Sequence, residues 1–302
     1  MDQSAPASVA AGRASPGALL ALRNPITWFP PMWAFLCGWV SAGPGTAPTA
    51  WALLAGIALT GPLVCGASQV VNDWFDKDVD ALNEPHRPIP SGRVPGNTAL
   101  HFAVIWTVIA QIWALMLGAW VAAATCLGLL LAWAYSAPPL RLKLNGWWGN
   151  SAVALSYEGL AWITGAAIVL GGKLPPSPIL MIALLYSIGA HGIMTLNDFK
   201  SVHGDLRMGI RSLPAQLGRE KAAKVACVFM LIPQLCVVAL LLHWQLVLCA
   251  VAVSSSVLAQ LLAMRRLLSD PERLAPWYNA TGVSLYVAGM MATAVGLGGW
   301  FT

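Results

Sequence analysis

Charge is what this sequence has least of. Charged residues fill 10% of its 302 positions and apolar residues 58%, against roughly a quarter charged in an ordinary soluble domain. One soluble core of this size cannot hide so much apolar surface. The six cysteines (Cys37, Cys65, Cys126, Cys227, Cys236 and Cys249) form no Cys-x-x-Cys pair and sit singly in apolar stretches. That pattern implies neither a disulfide framework nor a cysteine-based zinc site and predicts small packing residues. Residues 1–22 are rich in Ala, Ser, Pro and Gly and lack a long apolar run, so they do not read as a secretory signal peptide. They are expected to form a short disordered cytoplasmic tail ahead of a single transmembrane domain at 23–302.

What is present is a series of apolar blocks about 17 to 25 residues long, the length that crosses a hydrocarbon core. Nine are expected, near 25–42, 50–71, 99–117, 119–137, 150–170, 178–196, 222–242, 245–264 and 279–300. Lipid offers no hydrogen-bond partners, so each block must satisfy its own backbone. The fold class is therefore all-α, a polytopic membrane protein with a nine-helix bundle. With a cytoplasmic N-terminus, every Lys and Arg except Lys173 falls on the inner side, as the positive-inside rule requires. The C-terminus then lies on the opposite side of the membrane. The net charge of +5 reflects this topology and is not a nucleic-acid signal. Arg265, Arg266 and Arg273 read as contacts with membrane lipid headgroups.

The few acids are concentrated. Asp73, Asp76, Asp78, Asp80 and Glu84 crowd the inner end of the second block, beside Asn72. Asn72, Asp76 and Asp80 are spaced i, i+4, i+8, so a continuing helix puts them on one face. Like charges so spaced weaken a helix and point to a bound cation. Hard oxygen ligands without His or Cys favour Mg²⁺ or Ca²⁺ over zinc. The alternative is a solvated acidic helix end. Downstream, Arg87 and Arg93 frame a Pro/Gly-stiffened loop suited to phosphate. The pattern is echoed half a chain later, where Asn197 and Asp198 end an apolar block and Asp205, Arg207 and Arg211 follow. Asp198 and Asp205 would share a face if one helix persisted past Gly204. Two such clusters facing each other can hold a metal-bridged diphosphate.

At these residues the chain resembles the UbiA superfamily of intramembrane prenyltransferases, whose NDxxDxxxD signature is matched by Asn72, Asp73, Asp76 and Asp80. It looks most like the chlorophyll and bacteriochlorophyll synthase branch in the segments 24–31, 135–147, 157–162, 192–195 and 196–214. His203 stands where that branch would carry Glu, which puts a metal role there in doubt. The resemblance implies esterification of the propionate of bacteriochlorophyllide or chlorophyllide with geranylgeranyl or phytyl diphosphate, with Mg²⁺ as cofactor. It also implies a bacterial inner or intracytoplasmic membrane and, as further partners, pigment-biosynthesis or photosystem-assembly proteins. The expected metal and catalytic set is Asn72, Asp76, Asp80, Asp198 and Asp205, with Asp73 a weaker candidate. Asn72, Arg87, Arg93, Lys143, Lys200 and Arg211 are expected on the diphosphate.

Acceptor-side candidates are Arg141, Glu158, His191 and Trp28. Glu158 is the one acid in mid-span, where an ionisable group is a functional candidate by default; the competing reading is a local bond to Tyr157 or a neighbouring helix. His191 could reach the acceptor's central magnesium or be a packed, hydrogen-bonded core residue. Trp147 and Trp162 are further candidates for the cavity wall. Other readings are a sibling enzyme acting on a quinone precursor or haem, a non-catalytic pigment-binding subunit, and an ion-coupled transporter. The transporter would need acids near the bilayer midplane, which only Glu158 supplies.

Overall fold

A computed structural model describes residues 14–44 and 49–300. Among them the regular structure is helical throughout. Helix α1 (Pro16–Leu22) starts where Ser15 Oγ accepts from the Ala18 amide at 3.2 Å and Pro16 opens the first turn, a combination that favours initiation. Its Ala18 and Leu22 are buried in a cluster with Val70, Val71 and Val94. The expected disordered tail is thus wrong for 16–22: two apolar residues one turn apart dock this segment on the bundle. Residues 1–13, the rest of that tail, lie outside the described residues.

The first expected span is a 3₁₀ turn (Pro25–Trp28) of 4 residues followed by α2 (Phe29–Ser41) of 13 residues. The second is a continuous rod built of α3 (Ala50–Ala58), a π-helical turn (Leu59–Cys65) and α4 (Gly66–Asn83). Pro62 lies in the π turn and lacks the amide hydrogen a regular helix would use. Then come α5 (Thr98–Leu117) and α6 (Ala119–Ser136). A second rod joins α7 (Gly146–Ala154), a π turn (Leu155–Leu160) and α8 (Ala161–Val169). Helix α9 (Ser177–Asn197) leads into two short helices, α10 (Val202–Met208) and α11 (Leu213–Leu217). Three long helices close the chain: α12 (Arg219–His243), α13 (Val247–Leu267) and α14 (Pro271–Leu297). Eight helices among the described residues are long and apolar enough to cross a membrane. The count of nine is not confirmed, because the first block yields too short a helix.

Small residues set the closest approaches, as expected where lipid removes any hydrophobic drive for helix association. A Cβ on Gly165 of α8 would sit 2.0 Å from the Phe35 carbonyl oxygen, and one on Gly38 of α2 would sit 1.9 Å from that of Trp162. Backbone therefore meets backbone between α2 and α8. Behind them, α9 packs on α7, α12 and α14. Between α12 and α13, Gln234 and Gln260 exchange amide hydrogen bonds of 3.1 and 2.9 Å at full burial. Of the cysteines, Cys126 and Cys236 face outward and the other four are buried.

Candidate active site

Both π turns face one cavity of about 450 Å³ between α2, α4, α6, α7 and α9. Its mouth is polar, with Asn72, Tyr135, Asn150, Asn197, Asp198 and Lys200 on the wall. Farther in, the wall passes through Gln69 and Tyr157 to Val64, Gly128 and Leu160, and then to Thr60, Thr125 and Thr164. Residue numbers fall inward along α4 and α6 and rise inward along α7 and α8, so one axis runs from the loop end into the bundle.

The first acidic cluster is a continuous helix, as its spacing predicts, with Asn72, Asp76 and Asp80 all inside α4. Only Asn72 reaches the cavity wall; its side-chain NH₂ donates to Ser136 Oγ at 3.3 Å. Asp76 accepts from Lys143 Nζ at 2.5 Å and lies 3.8 Å from the Arg141 guanidinium. Arg87 spans Asp73 (3.1 Å) and Asp80 (3.0 Å) and also pairs with Glu84. Burial drives the Lys143 ammonium below the usual lysine range, with Asp76 opposing it. Burial also pulls on the Arg87 guanidinium, but Asp73, Asp80 and Glu84 outweigh it and hold the cation more firmly than usual.

The second cluster does not sit on one helix. A 3₁₀ turn (Asp198–Lys200) ends α9, and α10 begins after Ser201. Helix does persist past Gly204, but Asp198 lies in the 3₁₀ turn and Asp205 in α10, so no single α-helix carries both. Ser201 links them: its N–H donates to the Asp198 carbonyl at 3.1 Å, its carbonyl accepts from the Asp205 amide at 2.9 Å, and its hydroxyl lies 3.0 Å from both the Asp198 carbonyl and Asp205 Oδ2. Asp198 Oδ2 accepts from Asn150 Nδ2 at 3.0 Å. Asn279 of α14 donates to Asn197 Oδ1 at 2.8 Å.

The two clusters come together. Tyr135 lies within electrostatic reach of Asp198, Asp76 and Asp205 at once. The loop carrying Lys143 is joined by main-chain bonds to the segment after α10: Arg211 N–H donates to the Leu144 carbonyl at 2.9 Å and Gly146 N–H to that of Arg211 at 2.8 Å. Among the expected diphosphate ligands, Asn72 and Lys200 lie on the wall. Arg93 is held by Ser91 Oγ and the His86 carbonyl, and Arg211 contributes through its backbone.

The acceptor candidates lie off the wall. Trp28 donates its indole N–H to the Arg23 carbonyl at 3.0 Å. Trp162 is fully buried and stacks on Tyr186 at 5.6 Å. His191 forms a three-ring cluster with Trp147 and Phe229, whose own rings lie 6.3 Å apart, and neither of its ring nitrogens has a hydrogen-bond partner. Glu158 is buried with Oε2 unpartnered. Tyr157 does not bond it; that hydroxyl meets Gln69 Nε2 (3.1 Å) and Cys65 Sγ (3.2 Å). Asn150, Asn197 and Tyr135 carried no individual role in the sequence reading, although Asn197 precedes Asp198 as Asn72 precedes Asp73.

Among the described residues, no three His, Cys, Asp or Glu side chains converge into a ready-made cation cage. The mouth instead places Asn72 and Asp198, each with a hard side-chain oxygen, on the same cavity wall. That donor set fits a magnesium ion arriving with a phosphate, which takes one or two protein ligands and leaves its other positions to phosphate and water.

An oxygen-lined mouth above an apolar hollow, set among membrane-length helices, defines an integral membrane enzyme for amphiphilic anionic substrates. The chain belongs to the UbiA prenyltransferase family, whose model matches residues 28–297. It is 54% identical to the bacteriochlorophyll synthase 33 kDa chain of Cereibacter sphaeroides, over 94% of each chain. It is 37% identical to the chloroplastic chlorophyll synthase of Avena sativa, over 91% of this chain and 75% of that one. In fold it is similar to a UbiA homologue from Archaeoglobus fulgidus solved with DMAPP and Mg²⁺, with a TM-score of 0.71 and 18% identity over 92% of this chain and 99% of that one.

Proposed function

We propose that this prenyltransferase esterifies the propionate of bacteriochlorophyllide or chlorophyllide with geranylgeranyl or phytyl diphosphate. The observation that carries the reading is the cavity's polarity gradient, which suits an anionic head and a long hydrocarbon tail. The likeness to the bacteriochlorophyll synthase chain supplies the acceptor class. The charge pattern supports a cytoplasmic N-terminus and active-site mouth.

The reaction breaks the allylic C1–O bond, and the electron pair leaves with diphosphate. Mg²⁺ bound with the diphosphate neutralises the charge that builds on that leaving group. Asn72 and Asp198 would hold the metal, supported by Asp76, Asp80 and Asp205 behind them. Lys200 meets the phosphate at the mouth, and Lys143 and Arg87 can exchange a carboxylate for a phosphate oxygen. A carboxylate oxygen of the acceptor then donates a lone pair to C1 and forms the ester. The propionate is already ionised at neutral pH, with a usual pKa of about 4 to 5, so attack needs no general base. The apolar wall keeps water from capturing the allylic cation first.

The test uses purified protein with bacteriochlorophyllide or chlorophyllide and each prenyl diphosphate, with and without Mg²⁺, and extraction of the esterified pigment. Ester formation only with Mg²⁺ is expected. Turnover undiminished by chelation, or a quinone precursor accepted in place of the pigment, would overturn the reading.

A further inference from the structure

Part of the way along the cavity the wall is formed by a ring of three residues drawn from separate helical segments. Gly128 of α6 faces Val64 in one π turn and Leu160 at the end of the other. A Cβ placed on Gly128 would stand 3.7 Å from Leu160 Cδ1 and 3.9 Å from Val64 Cγ1, both ordinary contact distances. One added carbon therefore fits there, whereas a bulky side chain would have to occupy the lumen. Past the ring the cavity continues for another turn, to Thr60, Thr125 and Thr164. Thr60 and Thr164 return their hydroxyls to carbonyls of their own helices, at 3.0 and 2.8 Å, so neither hydroxyl closes the channel as a free polar group.

The axial spacing gives the ring a meaning. From Asn72 at the mouth to Val64 is eight residues, roughly 12 Å at ~1.5 Å per residue. The run to Thr60 adds roughly 6 Å more. An extended isoprene unit has four chain bonds of ~1.5 Å and advances about 5 Å. Two units therefore lie in front of the ring, and the third and fourth must pass through it.

We propose that the small residue at Gly128, opposed by Val64 and Leu160, sets the length of prenyl chain that the enzyme accepts, because a bulky side chain there would fill the lumen beyond the second isoprene unit. This rests on the prenyl-diphosphate reading above and adds the residue that decides tail length. The far segment is the region where a C20 chain differs from a C10 chain.

The experiment measures binding of non-hydrolysable C10 and C20 thiolodiphosphates, without acceptor, to wild type, Gly128→Ala, Gly128→Phe and Leu160→Phe. The readout is the C20-to-C10 affinity ratio within each protein, which differences in yield do not move. Gly128→Ala should keep the wild-type ratio. Gly128→Phe should lower it ~10-fold or more, the worth of about two methylenes left in water, while C10 binding survives. Leu160→Phe narrows the same ring from the opposite wall and should act in the same direction; it carries the test alone if Gly128→Phe does not fold. An unchanged ratio in the folded variants, or equal loss of both ligands, overturns the proposal. Wild type binding neither ligand would instead overturn the prenyl-diphosphate reading itself.

Discussion

The two acidic clusters are neighbours in space but opposites in electrostatic condition. On α4 three carboxylates are matched by basic side chains, Asp76 by Lys143 and both Asp73 and Asp80 by Arg87. At the α9–α10 break the partners are neutral, Asn150 for Asp198 and Ser201 for Asp205. An acid already paired with a cation has to release it before taking up a metal, whereas Asp198, held by the Asn150 amide, has no ion-pair partner to give up. The second cluster is thus the standing metal-binding half. The first is an exchange site, in which an arriving diphosphate can take over the lysine and arginine as the carboxylates turn to the metal.

The largest expected effect follows from that asymmetry. Asp198→Asn removes the one carboxylate that the described residues place on the cavity wall and should lower ester formation ~100- to 1,000-fold, the range for losing a group that stabilises developing charge. Added Mg²⁺ should recover part of it. Asp76→Asn should cost less, ~10- to 100-fold, with a smaller shift in the Mg²⁺ needed for half-maximal rate. A Mg²⁺ titration of both variants checks the order, and equal shifts would erase the distinction between the halves.

Next in size is the pair Asp76–Lys143. If Lys143 passes from Asp76 to a phosphate oxygen, Lys143→Ala should raise the KM for prenyl diphosphate ~10-fold, the worth of one charge-assisted hydrogen bond. A Lys143→Ala, Asp76→Asn double variant should lose less than the product of the single losses, because each residue acts through the other. Strictly multiplicative losses would show that the two residues act independently and that the 2.5 Å contact plays no part in the reaction.

How much of this could be read from the sequence follows the range of the forces involved. The membrane class, the all-α fold and the i, i+4, i+8 row are local: length, hydropathy and helical spacing fix them within one segment. The clustering of acids at two span ends was legible for the same reason. The two π turns were not, since Pro62 marks one and the second, at Leu155–Leu160, has no proline at all. The break at Ser201 was hidden because Ser–Val–His–Gly is compatible with a continuing helix. Nor could spacing show that Arg87 and Lys143 would be occupied by carboxylates, since those pairings join residues that only packing brings together.

The smallest effects concern the two asparagines that precede the acids, and they test whether the halves face the substrate with opposite poles. Asn72 gives its NH₂ to Ser136, which leaves its carbonyl oxygen for the cavity, the pole a metal needs. Asn197 gives its oxygen to Asn279, which leaves its NH₂ for the cavity, the pole a phosphate needs. Ser136→Ala frees the Asn72 amide to rotate and should raise the Mg²⁺ requirement by about 2- to 10-fold, leaving the KM for prenyl diphosphate near wild type. Asn279→Ala should do the reverse, raising that KM by a similar factor with the Mg²⁺ requirement unchanged. Because each change is one hydrogen bond behind the wall, the diagnostic is which parameter moves. If both variants shifted the same one, the asparagines would be equivalent and the contrast between the clusters would rest on their carboxylates alone.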